Sequence, residues 1–286
     1  MARCDVCFRH CELKEGQTGS CGARANTGGT VRPLYYGMAS ALALDPIEKK
    51  PLARFCPGSR ILSVGSLGCN LHCPFCQNHE IAQAAGDGGF AAAAEALPPE
   101  ELTGLAERYR PRGNIGVAFT YNEPLVGYEY VRDTAKLVKA RGMRNVLVTN
   151  GCAELAVLDE ISPYTDAMNI DLKGFTDSYY RDVLRGDRGM VMAFIREAVK
   201  RCHVELTTLI VPGENDREEE MLELSAWVAA LPDVYGGKTG RDIPLHISRF
   251  FPRYRMTDRE PTDTGKVYAL VKAAKKHLRY VYPGNC

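Results

Sequence analysis

Cys69-Asn70-Leu71-His72-Cys73-Pro74-Phe75-Cys76 sets three thiols at the spacing C-x3-C-x2-C. Three thiolates so spaced can hold three corners of a cubane 4Fe-4S cluster, which ordinarily takes four, so the fourth iron stays open. The open iron calls for a distant protein ligand or an exogenous one, and the amino and carboxylate groups of S-adenosylmethionine make such a chelator. One electron from the cluster can then cleave a C–S bond of the sulfonium. A C-x-x-C pair alone would suit a zinc ribbon or a redox dithiol equally. His72 and His79 keep a zinc reading open, because a tetrahedral site needs a fourth ligand nearby. Upstream, Arg60-Ile61-Leu62-Ser63-Val64-Gly65-Ser66 is β-branched and apolar, a strand that delivers Gly68 and Cys69 at its end.

Composition narrows the class. The 286 residues, 45% of them hydrophobic, suit either one large domain or a domain with an appendage. Thirty-six Lys and Arg face 35 Asp and Glu, so no overall field favours nucleic acid or an anionic membrane surface. No apolar run approaches a membrane span, and Met1-Ala2-Arg3-Cys4 lacks the apolar core of a signal peptide, which predicts a cytoplasmic protein. Eleven cysteines are then better explained by metal ligation than by disulfides. Seven fall in two sets, Cys4/Cys7/Cys11/Cys21 and Cys69/Cys73/Cys76. Cys56, Cys152, Cys202 and Cys286 are scattered and read as small buried hydrophobes.

From residue 60 onward, strand-like runs alternate with amphipathic stretches, the pattern of an α/β fold with parallel strands. Six strands are expected, at 60–66, 115–120, 145–149, 167–172, 204–211 and 243–250. Helices are expected near 98–110, 125–141, 153–161, 189–201, 216–231 and 264–278. The clearest is 216–231, with Asn215 as its expected cap and Met221, Leu224, Trp227 and Leu231 on one face. Six units are too few for a closed eight-stranded barrel and suit an open three-quarter (β/α)6 barrel. The domain division is a cysteine-rich extension over 1–55 and a core over 56–286, with 84–96 as a loose Ala-rich linker.

In barrels, functional groups gather at the C-terminal ends of strands. After the second expected strand come Thr120-Tyr121-Asn122-Glu123-Pro124, where Glu123 serves either as an acceptor for an ammonium or as an ordinary helix-start acid. The third ends in Thr149-Asn150-Gly151, which reads as a turn when taken alone. On the fourth, alternation sets Asn169, Asp171 and Lys173 on one face, and buried polar groups there need partners such as ribose hydroxyls or each other. On the sixth, His246 and Ser248 share the inward face, and Arg249, Arg253 and Arg255 read as a basic rim. Cys4-x2-Cys7-x3-Cys11-x9-Cys21 supplies four thiols, enough for zinc or for a second, closed cluster, and spacing does not choose between these and free thiols. The charged stretch Asp45-Pro46-Ile47-Glu48-Lys49-Lys50-Pro51-Leu52 reads as a docking or gating loop.

The three-cysteine loop, with aromatic Phe75 before its last cysteine, resembles the radical S-adenosylmethionine superfamily. Asp171-Leu172-Lys173 resembles the branch containing pyruvate formate-lyase activating enzyme. The resemblance implies a 4Fe-4S cluster on Cys69, Cys73 and Cys76, and S-adenosylmethionine beside Phe75, Asn122, Glu123, Asn150, Asp171, Lys173 and His246. Glu123 and His246 would stand toward its methionine end, and Asp171 and Lys173 toward its ribose. In that branch two glycines precede the acid, whereas Tyr121 and Asn122 stand here. Taken whole, the N-terminal cysteines, Asp45 to Leu52, Cys76-Gln77-Asn78, Tyr121-Asn122-Glu123-Pro124, Asp171-Leu172-Lys173 and His246 to Phe250 resemble the AmmeMemoRadiSam system radical SAM enzymes. That resemblance implies an electron donor such as flavodoxin or ferredoxin, partners of the Memo and AMMECR types, and relatives running on past Cys286. The expected activity is reductive cleavage of S-adenosylmethionine and hydrogen abstraction from an unidentified substrate, with a glycyl-radical activase as one version. The competing class is an iron-sulfur or zinc electron-transfer protein, to which the polar groups at Glu123 and on the Asn169 face would be useless.

Overall fold

In the computed structural model, which describes residues 1–83 and 94–286, one sheet organises the chain. Its strands are β1 (Ala41–Pro46), β2 (Arg60–Gly65), β3 (Asn114–Phe119), β4 (Arg144–Thr149), β5 (Ala167–Asp171), β6 (His203–Ile210), β7 (Leu245–Arg249) and β8 (Val281–Gly284). They lie side by side in chain order; β2 to β8 are parallel and β1 is antiparallel to β2. The two end strands do not meet, so the sheet is an open partial barrel, as expected. Six of its strands answer to the six read from sequence, and β1 and β8 extend it at either edge. β1 lies within the segment assigned to the extension, so the division at residue 56 falls between two hydrogen-bonded neighbours.

Strict alternation along the parallel strands gives each of them two buried faces. The outward face, with Leu62, Val117, Phe119, Leu147, Ile170, Leu206 and Ile247, packs under the crossover helices. These are α1 (Pro99–Arg108), α2 (Tyr128–Ala140), α3 (Leu155–Ile161), α4 (Arg188–Arg201), α5 (Glu218–Ala229) and α6 (Thr264–Ala274). Asp187 and Asp263 cap α4 and α6 by accepting from the amides of Met190 and Lys266. Asn215 is not the cap of α5. Its side chain accepts from the Val211 amide and donates to the carbonyls of Lys173 and Leu209, tying the end of β6 to the turn after β5.

The inward face carries Ile61, Ala118, Val146 and Ala167, closed from within by Ile47 and Leu52, both fully buried. Asp45 to Leu52 is thus divided, with Glu48 and Lys49 exposed and Ile47 and Leu52 buried. Its apolar residues plug the bottom of the barrel, and its carbonyl at Pro51 accepts from Asn169. Lys50, 3% exposed, pairs with Asp45 at 2.8 Å, which removes the cost of burying either charge alone. Of the expected linker 84–96, residues 84–93 lie outside the described residues, and Glu95–Ala96 pairs with Met38–Ala39. No helix among the described residues is long and apolar enough to cross a membrane.

Candidate active site

Gly68 turns the chain out of β2 with φ +90, and a side chain there would stand 2.6 Å from the Cys21 carbonyl and from the Ala23 methyl. Only glycine lets the loop lie against the N-terminal segment in this way. The Cys69 amide then donates to the Cys21 carbonyl, and the Asn70 side chain to the Cys152 carbonyl at 2.7 Å. Asn150, at the end of β4, donates to Asn70 Oδ1 at 2.9 Å and lies 3.7 Å from Cys69 Sγ. Asn122 accepts from the Ser66 amide and donates to the Gly68 carbonyl. Asn122 and Asn150 thus brace the loop. Phe75 is buried edge-on against Phe250.

Cys69, Cys73 and Cys76 border one cavity of about 450 Å³, together with Glu123, Asn150, Asp171, Lys173 and Tyr121. Burial pushes all three thiols up, Cys73 to about 11, and the neighbouring Glu123 adds to the effect on Cys69. A cationic iron centre would supply what burial withholds, since bound thiols are thiolates. The residues fit a three-thiolate cluster with an organic ligand beside it.

Glu123 is 3% exposed and accepts from the amides of Leu125 and Asn150 and from the Thr149 hydroxyl, at 3.0, 2.7 and 2.6 Å. It is both the cap of the 3-10 turn Pro124–Gly127, as one reading of the sequence expects, and a wall of the cavity. Burial raises its carboxyl to about 7 against those three bonds, and one acceptor position is left over. Asp171 and Lys173 form an ion pair at 2.6 Å and both border the cavity. Burial disfavours the Lys173 charge, but Asp171 and Cys73 outweigh it and hold the ammonium charged. Asn169 stands apart, spent on Pro51 and Thr207.

His246 is also apart. Its Nε2 meets Glu205 Oε2 at 2.7 Å, and although register sets it beside Thr207 of the cavity wall, it is not itself among the residues bordering the cavity. Glu205 is fully buried and also takes bonds from His203 and from the amides of Ala53 and Arg54. Burial alone would raise its carboxyl, but the two imidazoles and the Arg54 amide bring it down to about 2. Sequence reading passed over Glu205. Its one signal was a Glu alternating with His203 and Thr207 on an inward face. Also missed was the far wall, where Tyr121 adopts a left-handed φ of 72, strained for a tyrosine, and its hydroxyl donates to Asp45 Oδ2 at 2.7 Å under Lys50. Lys49 and Lys50 border the cavity from this side.

The N-terminal thiols collect at the base of the loop. Cys4, Cys7 and Cys21 are buried, Cys11 is half-buried, and the Cys4 amide donates to the Cys11 carbonyl. Burial raises Cys7 to about 11, with Cys21 and Cys4 adding to it. Among the described residues no three His, Cys, Asp or Glu side chains converge on a single ion, and nothing here selects zinc. Cys152 and Cys202 are buried as expected; Cys56 and Cys286 are exposed. Arg24 fastens this segment to α2 by a bidentate pair with Glu129 at 2.6 and 2.8 Å.

Comparison with known proteins agrees with this geometry. The chain is 39% identical over 285 residues to an uncharacterized protein of Methanocaldococcus jannaschii, MJ0808, covering 99% of this chain and 81% of that one. It is 28% identical over 231 residues to the pyruvate formate-lyase-activating enzyme of Clostridium pasteurianum, covering 78% and 92%. Its fold resembles the crystal structure of Streptococcus suis SuiB bound to S-adenosylmethionine, with TM-score 0.58, 12% identity, and coverage of 79% and 52%. A family model described as the radical SAM superfamily matches residues 63–225, from β2 through the cluster loop into α5. With three thiols on one loop over one cavity at the rim of an open parallel barrel, this chain belongs to the radical SAM superfamily of enzymes.

Proposed function

We propose that the cavity holds S-adenosylmethionine against a 4Fe-4S cluster on Cys69, Cys73 and Cys76, and that a second molecule is the substrate. The observation carrying this reading is the meeting of the three thiols with Glu123 and the Asp171–Lys173 pair on one cavity. When bound, the cluster supplies one electron that splits S-adenosylmethionine into methionine and a 5'-deoxyadenosyl radical, which takes hydrogen from the substrate. Glu123 has one acceptor position for the methionine ammonium. Asp171, held by Lys173, accepts from ribose hydroxyls. Asn122 and Asn150 keep the loop in register, and Phe75 against Phe250 keeps water from the cluster side. His246 acts from a distance, holding Glu205 and through it the barrel plug at Ala53 and Arg54. The wall of Lys49, Lys50, Tyr121, Thr207 and Ser248 is left for the substrate.

The test is chemical. Anaerobically reconstituted, reduced protein should convert S-adenosylmethionine to 5'-deoxyadenosine and methionine, and Cys73→Ala should not. Iron-loaded wild type that forms neither product overturns the reading. Similarity to an enzyme named as a pyruvate formate-lyase activase favours a second version in which the substrate is a glycyl-radical protein; a glycyl doublet in the electron paramagnetic resonance spectrum of such a partner decides it. The segments resembling AmmeMemoRadiSam system enzymes support a finer placement with Memo-type and AMMECR-type partners. Anaerobic co-purification with either protein tests that placement.

A further inference from the structure

The far wall of the cavity holds more positive charge than its neighbours balance. Lys50 Nζ lies 2.8 Å from Asp45 Oδ2 and Lys49 Nζ 3.6 Å from Asp45 Oδ1, so two ammonium groups share one carboxylate. Burial alone would raise the Asp45 carboxyl, but bonds from Lys50 and Tyr121 bring it down to about 2, and it stays ionised. Among the described residues no second carboxylate stands within salt-bridge distance of either lysine, which leaves this corner with one net positive charge. Lys49 is exposed and Lys50 is buried, and both border the cavity. Of the three donors on the Lys50 ammonium, one is spent on Asp45, and the group stands 4.5 Å from the centre of the Tyr121 ring. Among the described residues no other acceptor reaches it.

Tyr121 holds its place against strain. Its φ of 72 suits glycine, yet the position carries a tyrosine. The ring lies on Gly65, where a side chain would come within 3.0 Å of it. The Tyr121 carbonyl accepts from Asn78, two residues past Cys76, at 2.8 Å, and the hydroxyl donates to Asp45 at 2.7 Å. The corner is thereby fixed both to the barrel plug and to the cluster loop.

We propose that Lys49 and Lys50, with Tyr121 supporting Lys50, anchor a carboxylate of the substrate. The inference rests on the reading of this wall as the substrate side and narrows the substrate to a molecule that carries such a group. One net charge matches a carboxylate better than a phosphate dianion, and a buried ammonium with an unused donor calls for an anionic acceptor. No bond is made or broken at this corner; it positions.

The probe is acetate enriched in carbon-13 at its carboxyl, followed by line broadening in anaerobic, iron-loaded protein. S-adenosylmethionine is present in excess so that acetate does not reach the open iron. Lys49→Gln, which changes an exposed side chain, and Lys50→Met should each weaken acetate binding by about tenfold. Tyr121→Gly, which removes the strain and leaves Lys50 unsupported, should weaken it at least about threefold at wild-type iron content. Lys272→Gln, exposed on α6, should bind as wild type does. Inorganic phosphate should bind no more tightly than acetate, and tighter phosphate binding overturns the assignment. A blocked glutamate amide tells the sources apart: tighter binding than acetate assigns an acidic side chain of a protein substrate, weaker binding a free organic acid. Acetate binding unchanged in both Lys49→Gln and Tyr121→Gly, or absent from wild type up to about 50 mM, overturns the proposal whether or not Lys50→Met folds. Protein that forms no 5'-deoxyadenosine yet binds acetate through these lysines sinks the function proposed above and leaves the anchor standing. Protein that forms it but binds acetate without regard to them does the reverse.

Discussion

The amide of Cys69 donates to the carbonyl of Cys21 at 3.1 Å, so the first ligand of the cluster loop is hung from the last cysteine of the N-terminal set. The two cysteine groups, 48 positions apart, are thereby one structural unit, and Gly68 is the residue that permits the contact.

Gly68→Ala should break that unit. Its methyl group would lie 2.6 Å from the Cys21 carbonyl, in a backbone conformation already costly for alanine. The strain alone is about 1 to 3 kcal/mol, which lowers the melting temperature by roughly 2 to 10 °C. Thermal melts of wild type and variant, with iron content measured beside them, check this. A variant as stable as wild type, with full iron, would show that the loop does not depend on the N-terminal contact.

The cluster loop was legible because covalent spacing itself encodes the ligand geometry, and the sheet because apolar runs, buried on both faces, recur between amphipathic stretches from Arg60 to Arg249. The barrel plug was not. Asp45 to Leu52 reads as charged and therefore as surface, and Glu48 and Lys49 are indeed exposed, but Asp45 is paired with buried Lys50 and takes a hydrogen bond from Tyr121, and Ile47 and Leu52 do the filling. Glu205 was hidden for a related reason: its partners come from Ala53, Arg54, His203 and His246, the farthest 152 positions away, and no local pattern encodes such a meeting. His246 was assigned from its place on an inward face, which alternation gives correctly; register sets it beside Thr207 of the cavity wall, but its ring is taken by Glu205, a partner that alternation does not reveal.

Glu123 makes the stability of the metal-free protein depend on pH. Its folded value, about 7, lies above the ordinary 4.5, so the folded state holds the proton more tightly. The resulting stabilisation is complete below about pH 4.5 and is lost as pH rises through about 7, a change on the order of 3 kcal/mol. Urea unfolding at pH 5 and pH 8 should show a steeper decline in wild type than in Glu123→Gln. Equal declines would mean that the carboxylate is not held protonated by burial.

The two cysteine sets should separate by metal analysis. Replacing Cys69, Cys73 and Cys76 together by alanine should remove the iron that binds S-adenosylmethionine, because a cubane does not persist on this loop without thiolates. Any iron kept by that triple variant, and lost when Cys4 and Cys21 are also replaced, assigns a second cluster to the N-terminal set. A metal-free triple variant means that Cys4, Cys7, Cys11 and Cys21 only brace the loop.

Asp171 and His246 divide the polar inner face of the barrel between the cavity and the plug. Asp171 borders the cavity and pairs with Lys173, whereas His246 is taken up by Glu205. Removing a charged hydrogen-bond partner from a buried ligand costs about 1.5 to 3 kcal/mol, a loss of roughly tenfold to a hundredfold in affinity. Asp171→Ala should therefore weaken S-adenosylmethionine binding by that factor in protein of full iron content, as read by equilibrium dialysis. His246→Ala should leave the affinity within about threefold of wild type and should instead lower stability, because the Glu205 carboxylate, fully buried, loses one of its two imidazole partners. The reverse outcome, with affinity lost in His246→Ala and kept in Asp171→Ala, would place the cofactor against His246 and turn the Asp171–Lys173 pair into a strut of the rim.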